Sequence, residues 1–284
     1  MKRDIPTEIE EKTAVGTHEL IQMILAGESD EGAEHFLFFK EPSVWLEDLT
    51  RLTDELADGF SGMTPASRES VLRFLVRIRL DLDSLLSDWY LKGRVSDEEL
   101  KRGRSRADAL LRRFASEKEA ESLLRAFEAD AVLRLEAEGL DETEAKKLAA
   151  AEHEGTLTDW CEAEAGRGRA GNLTGIARSF QAGEAHTMLG NDYADFLLPT
   201  MRQGFCFQTT NPPLVKMAWN AKPGFWKERL KEYRELYGET PESDEERVML
   251  MTMAVVGRSC RLLRPLFLRS GGRVGYVCYQ VNTL

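Results

Sequence analysis

The residues best suited to chemistry lie where a short apolar run gives way to polar side chains. Gly204 is followed by Phe205, Cys206 and Phe207, and then by Gln208, Thr209, Thr210, Asn211, Pro212 and Pro213. The apolar residues read as a short strand covered on both faces. The C-terminal end of such a strand is where ligands bind in α/β folds, and in (β/α)₈ barrels above all. The Asn211 amide both donates and accepts, which suits a sugar hydroxyl or a carbonyl oxygen. Thr210 adds a hydroxyl beside it. The same Asn side chain can instead close the turn through an Asx-type hydrogen bond. Gln280 raises the same question, because a polar residue in an apolar strand must find a partner if it is buried.

Nucleophiles and metal ligands are harder to find. An amine nucleophile needs its pKa lowered by burial or a nearby cation. Lys216 falls on the first turn of the helix after the strand, and Lys222 lies in the loop Asn220 to Gly224. Both read as solvated. His18, His35, His153 and His186 show no ligand spacing, and Cys161, Cys206, Cys260 and Cys278 form no C-x-x-C pair. No metal and no cofactor is expected. Cys206 and Cys278 sit in expected strands, where a free thiol behaves as a small buried hydrophobe.

The run Gln208 to Leu214 resembles the second barrel strand of the transaldolase family, which ends in a hydrophobic-x-Thr-Thr-Asn-Pro-x-Leu/Ile pattern. Gly275-Tyr276-Val277-Cys278-Tyr279-Gln280-Val281-Asn282 is similar to that family's third strand, where Glu or Gln precedes Val. About sixty residues with helical patterning separate the two, as a parallel crossover requires. Pro213 departs from the pattern, since the family usually has Ser or Thr there.

The resemblance covers residues 171 to 284. It implies a class I aldolase-type (β/α)₈ barrel, a small sugar phosphate as substrate, and aldol transfer or cleavage through a lysine Schiff base. It also implies an Asp at the end of the first strand. Asp192, nineteen residues before Asn211, is the nearest match. Asp192 also fits the N-cap of a helix from Tyr193 to Met201. The lysine and the phosphate-binding strands of the family have no counterpart up to Leu284. The expectation is a form truncated after about the third of eight strands, inactive by itself, with Asp192 as catalytic residue and Thr210, Asn211 and Gln280 as substrate-binding residues.

The elements before this segment read as helical. Ser96 with Glu99, Ser116 with Glu119, Asp141 with Glu144 and Ser243 with Glu246 have the spacing of capping boxes. Thr64-Pro65 is a further start, a cap followed by Pro at the first helical position. Val71, Leu72, Leu75, Ile78, Leu82, Leu85, Leu86 and Trp89 form one helical stripe. Trp45, Leu49, Leu52 and Leu56 mark an earlier helix. The basic run holding Lys101, Arg102, Arg104, Arg106, Arg112 and Arg113 reads as a solvated helix face. Gly166 to Gly171, with three glycines and two arginines, is the expected linker.

The fold class is therefore α/β, with an all-helical domain over 1–170 and an incomplete barrel-like segment over 171–284. A formal net charge of −11 argues against a general nucleic-acid binder. No apolar run is long enough for a membrane span. Met1 to Pro6 lacks a secretory core, so a cytoplasmic location is the expectation. A second reading makes the helical half a partner-binding module and the barrel segment a remnant. The open sheet edge of such a remnant would favour pairing with another copy, a homo-oligomer.

Overall fold

A computed structural model gives the conformation of residues 15–137, 139–152, 155–237 and 243–280. Met1 to Pro6, His153, Val281 and Asn282 lie outside the described residues. The helical part is organised around one helix, Pro65–Leu82. Thr64 accepts a hydrogen bond from the Ser67 amide at 3.2 Å, and Pro65 occupies the first position, as the sequence predicts. Val71, Leu72, Phe74, Leu75, Val76, Ile78 and Leu80 are all buried, and the charged Arg77, Arg79 and Asp81 are buried with them. A helix buried this far round sits inside its neighbours and must pair its charges there. Helices Thr17–Leu25, Ser29–Glu34, Asp97–Arg113, Lys118–Ala137 and Leu157–Ala170 pack around it.

Local signals were followed except where a tertiary partner competed. The stripe expected to run on to Trp89 breaks at Asp83. Ser84 opens a second helix, Leu85–Tyr90, by accepting from the Leu86 amide at 3.2 Å. Asp83 is drawn to Arg79, Arg104 and Arg169. The Ser96–Glu99 and Ser243–Glu246 boxes close in both directions, and Asp141 accepts from the Glu144 amide at 2.9 Å. The Ser116–Glu119 box does not form. Its helix starts at Lys118, and the buried Glu119 carboxylate is held by Arg68 at 2.7 Å. Thr156 and Asp159 make a box that the sequence reading missed, with Asp in place of Glu.

The basic run is less solvated than expected. Arg104 reaches Asp83 at 3.2 Å and Arg106 pairs with Asp54. Just before them, Gly103 lets its helix approach Trp45–Gly59, since a Cβ there would lie 3.0 Å from the Trp45 indole. The expected linker is also helical. The helix Leu157–Ala170 runs through Gly166, and Gly171 (φ −77°, ψ 146°) separates it from Asn172–Gln181. Burial of Cys161 and Ala165 on that helix offsets the propensity cost of glycine, about 1 kcal/mol per residue. The core continues past this point. Leu197, Met201, Cys206, Leu263, Leu266 and Val274 join the residues of the helical part in one cluster.

Three parallel strands follow: β1 (Gly190–Asp192), β2 (Phe207–Thr210) and β3 (Tyr276–Tyr279), in the order β1-β2-β3. The register pairs Asp192 with Thr209 and Thr209 with Cys278. Helix Leu197–Arg202 connects β1 to β2. Pro212–Ala221, Pro223–Tyr237 and Asp244–Arg269 connect β2 to β3. The second strand lies later than its expected place at Phe205 to Phe207. Pairing starts where Cys206 donates to the Leu189 carbonyl at 2.9 Å and Gly275 donates to Cys206 at 2.7 Å. It then runs on through the polar residues. The chain is thus mixed α/β, mainly helical with one small parallel sheet. Among the described residues no helix is long and apolar enough to cross a membrane.

Candidate functional site

The sheet has two unlike faces, and side-chain alternation decides what each carries. Gln208 and Thr210 of β2 are buried, and Val277 and Tyr279 of β3 are half-buried beside them. Helices cover this face. Tyr279 packs on a cluster of Ala194, Val215, Ala218, Trp219, Trp226 and Val255. The Trp226 indole N–H is satisfied by the Ala218 carbonyl at 2.9 Å. The opposite face carries Gly190, Asp192, Phe207, Thr209, Tyr276 and Cys278. Asp192, Tyr276 and Cys278 are exposed there, and Phe207 and Thr209 are half-buried. Parallel sheets are ordinarily covered on both faces. Here the second face is covered only in part: Phe207 packs on the main core and Tyr276 on Phe267, while Asp192 and Cys278 stay exposed.

Four polar residues lie toward the carboxyl end of the open face, and two of them touch. The Thr209 hydroxyl donates to Asp192 Oδ1 at 2.7 Å. One step along β2 from Thr210, Asn211 takes extended backbone (φ −147°, ψ 170°). Its Oδ1 accepts from the Leu214 amide at 3.0 Å, capping the helix that opens at Pro212. Of the two roles open to Asn211, capping is the one observed, and its Nδ2 donates to no described residue. Gln280 extends the ladder by donating its backbone N–H to the Thr210 carbonyl at 3.1 Å. Its side chain is exposed. Asp192 is not a helix cap. The following helix begins at Leu197, after Phe196 in the left-handed region.

Thr210 is on the other side. It is 4% exposed, and its hydroxyl oxygen has no hydrogen-bond partner. The sequence places Thr210 beside Asn211 at the strand end, but it is Thr209 that shares a face with Asn211 and meets Asp192. Period-two alternation back from Asn211 would have identified it, since residues 209 and 211 share a face and 210 does not. Gln208, fully buried, donates through Nε2 to the Tyr193 carbonyl and so ties β2 to the loop after β1.

The lysines divide. Lys216 is exposed on its helix, as expected. Lys222 was expected to be solvated, yet it is held. Its Nζ lies 3.0 Å from Asp130, 3.4 Å from Asp195 and 4.5 Å from the Phe196 ring centroid. No lysine sits on the open face among the described residues. The face therefore offers a carboxylate, a hydroxyl and two amides, which is a set for binding hydroxyls and carbonyls. Among the described residues no group of three His, Cys, Asp or Glu is placed to hold a metal. His186 is exposed on the segment leading into β1.

Cysteines report on the faces directly. Burial pushes the Cys161 thiol up to about 12 and the Cys206 thiol up to about 11. Cys278, expected inside, is exposed on the open face because its register partner is Thr209. Iodoacetamide at neutral pH is expected to modify Cys278 first. Cys260 should follow more slowly, since partial burial of its sulfur raises its pKa. Cys161 and Cys206 should react only on unfolding, because the thiolate is the nucleophile. Peptide mapping after timed quenching reads the order. Cys206 reacting ahead of Cys278 would reverse the assignment of the two faces.

Comparisons with known protein families, with curated proteins and with solved structures each find no match.

Proposed function

We propose that this chain is a transaldolase-like protein of sugar-phosphate metabolism, with the open face of its sheet as one wall of an aldol-type site. The observation that carries the reading is the placement of Asp192, Asn211 and Gln280 at the ends of three adjacent parallel strands taken in chain order. Strand ends of that kind hold substrate in the barrel family that the sequence resembles. On this reading Asp192, oriented by Thr209, serves proton transfer beside the sugar. The Asn211 amide and the Gln280 side chain hold hydroxyl or carbonyl oxygens.

The family's reaction runs through an imine on a lysine, and no described lysine reaches this wall. The chain by itself is therefore expected to hold a ketose without forming the imine. Fructose 6-phosphate at millimolar concentration should slow the alkylation of Cys278. Asp192→Ala or Gln280→Ala should abolish that protection, and both side chains are exposed enough for the fold to tolerate the change. Borohydride added with the sugar should leave no adduct. Alkylation rates unchanged by the sugar would refute the site, and a trapped adduct on Lys222 would move the chemistry off the sheet. Protection that rises with protein concentration, independent of sugar, would favour self-association through this face instead.

A further inference from the structure

We propose that a second cavity, between the central helix and the loop after β1, binds a small anion that carries a flat ring. The cavity measures about 520 Å³, within the range of small-molecule sites. Helices Pro65–Leu82, Lys118–Ala137 and Asp244–Arg269, the loop 194–196 and the helix Leu197–Arg202 enclose it. It shares no lining residue with Asp192, Thr209, Asn211 or Gln280, so it stands or falls separately from the sugar site.

Its walls are aromatic. Phe127 and Trp160 stack at 4.2 Å with 15° between their planes, and Phe196 contributes a third ring. A planar ligand finds stacking surface there. Cations supply the other half of the recognition. Arg77 is already committed to Asp81 and Asp30, and Lys222 to Asp130 and Asp195. Arg258 is different. Its guanidinium lies 5.0 Å from the Phe225 ring centroid and its charge acts on the Asp30 carboxylate across the cavity, but no ion pair or hydrogen bond holds its donors among the described residues. A guanidinium with free donors at a pocket wall matches the fork geometry of a carboxylate or phosphate.

Backbone strain falls at the same place. Phe196 has φ 54°, the only positive φ of a non-glycine residue among those described. Such a conformation costs energy and persists where its surroundings enforce it, often at ligand clamps. Here the Tyr193 ring stacks on Phe196 at 5.9 Å, and the Lys222 ammonium lies 4.5 Å from the centroid of the Phe196 ring. The strain holds an aromatic side chain at the cavity wall.

The test is a titration of the full chain with adenosine 5′-monophosphate, with 4-hydroxybenzoate and with inorganic phosphate, read by tryptophan fluorescence and calorimetry. At least one ring-bearing anion should bind saturably and quench a signal that Trp160→Phe removes. Inorganic phosphate should bind more weakly than the nucleotide. Preference between the two ring-bearing probes identifies the anionic group as phosphate or carboxylate. Arg258→Gln should weaken binding about tenfold or more, as loss of a charge-assisted hydrogen bond does, with the urea midpoint unchanged. Phe196→Gly should relieve the backbone and also weaken binding. Failure of both ring-bearing probes at millimolar concentration would overturn the proposal, and so would an affinity that Arg258→Gln leaves intact.

Discussion

Replacing Asp81 with Ala is expected to cost about 3–5 kcal/mol, the range found when one partner of a buried ion pair is removed. Asp81 is 1% exposed on the central helix. One carboxylate oxygen takes the Nε–H of Arg77, one turn earlier, and the other takes the Nε–H of Arg202 at 2.7 Å. Arg77 is 5% exposed and the Arg202 side chain 12%. Removing the carboxylate leaves two guanidiniums in a low-dielectric setting with too little to neutralise them. Arg77 keeps Asp30 at 3.2 Å, while Arg202 keeps no ion pair among the described residues. Arg202 ends the helix that leads into β2, so the damage reaches the sheet.

Urea denaturation should show the midpoint falling with the slope preserved, the mark of lost stability without a change in the surface exposed. The triple replacement Arg77→Met, Asp81→Leu and Arg202→Met should recover much of the loss, because well-packed apolar residues often substitute for a buried ionic triad. A loss below about 1 kcal/mol for Asp81→Ala would put the pair in the class of exposed ion pairs. That would contradict the burial on which the argument rests.

The sequence shows most clearly what is local. Thr64-Pro65, Ser96–Glu99 and Ser243–Glu246 start helices because each cap needs only residues three apart. It shows least what depends on a distant partner. Ser116 and Glu119 have the spacing of a cap, but Glu119 is taken by Arg68, 51 positions away. Asp83 breaks a helix stripe because three arginines from separate segments converge on it. The linker reading of Gly166 to Gly171 failed for the same reason: glycine lowers helix propensity but does not forbid a helix that tertiary packing holds.

At the candidate site, the parallel strands and their polar ends were legible from Thr209-Thr210-Asn211-Pro212 and Gln280. Which threonine faces Asp192 depends on the phase of β2, and period-two alternation puts Thr209, not Thr210, on the face of Asn211. The second cavity was invisible to that reading. Its aromatic and cationic walls come from residues as far apart as Arg77 and Arg258, and only the fold brings them together. Lys222 read as a loop lysine because nothing in its neighbourhood announces Asp130.

Gly275→Ala should be among the most damaging single changes in the sheet, at about 2–5 kcal/mol from backbone strain and overpacking combined. Gly275 has φ +90°, and a Cβ there would lie 2.5 Å from the Phe267 nitrogen and 2.8 Å from its Cα. Both obstacles are backbone, in the long helix that covers the sheet, so no side-chain rotation relieves them. The adjacent turn contains its own control. Gly271 has φ +62° but nothing within 4 Å of an added Cβ, so Gly271→Ala should cost only the left-handed preference, about 1–2 kcal/mol. The difference between the two variants isolates the close approach.

The consequence for the sheet can be measured apart from stability. Gly275 donates to the Cys206 carbonyl at 2.7 Å and so starts the pairing of β3 with β2. Without that bond β3 loses its anchor, the end of β3 that carries Gln280 loses its position, and the buried Cys206 thiol becomes accessible. Iodoacetamide should then modify Cys206 in folded Gly275→Ala, under conditions where it spares Cys206 in the parent chain and in Gly271→Ala. If Cys206 stays protected while stability falls, the glycine serves the helix contact alone. If it is exposed, the same residue that lets the helix approach also fixes the strand end on which the candidate site depends.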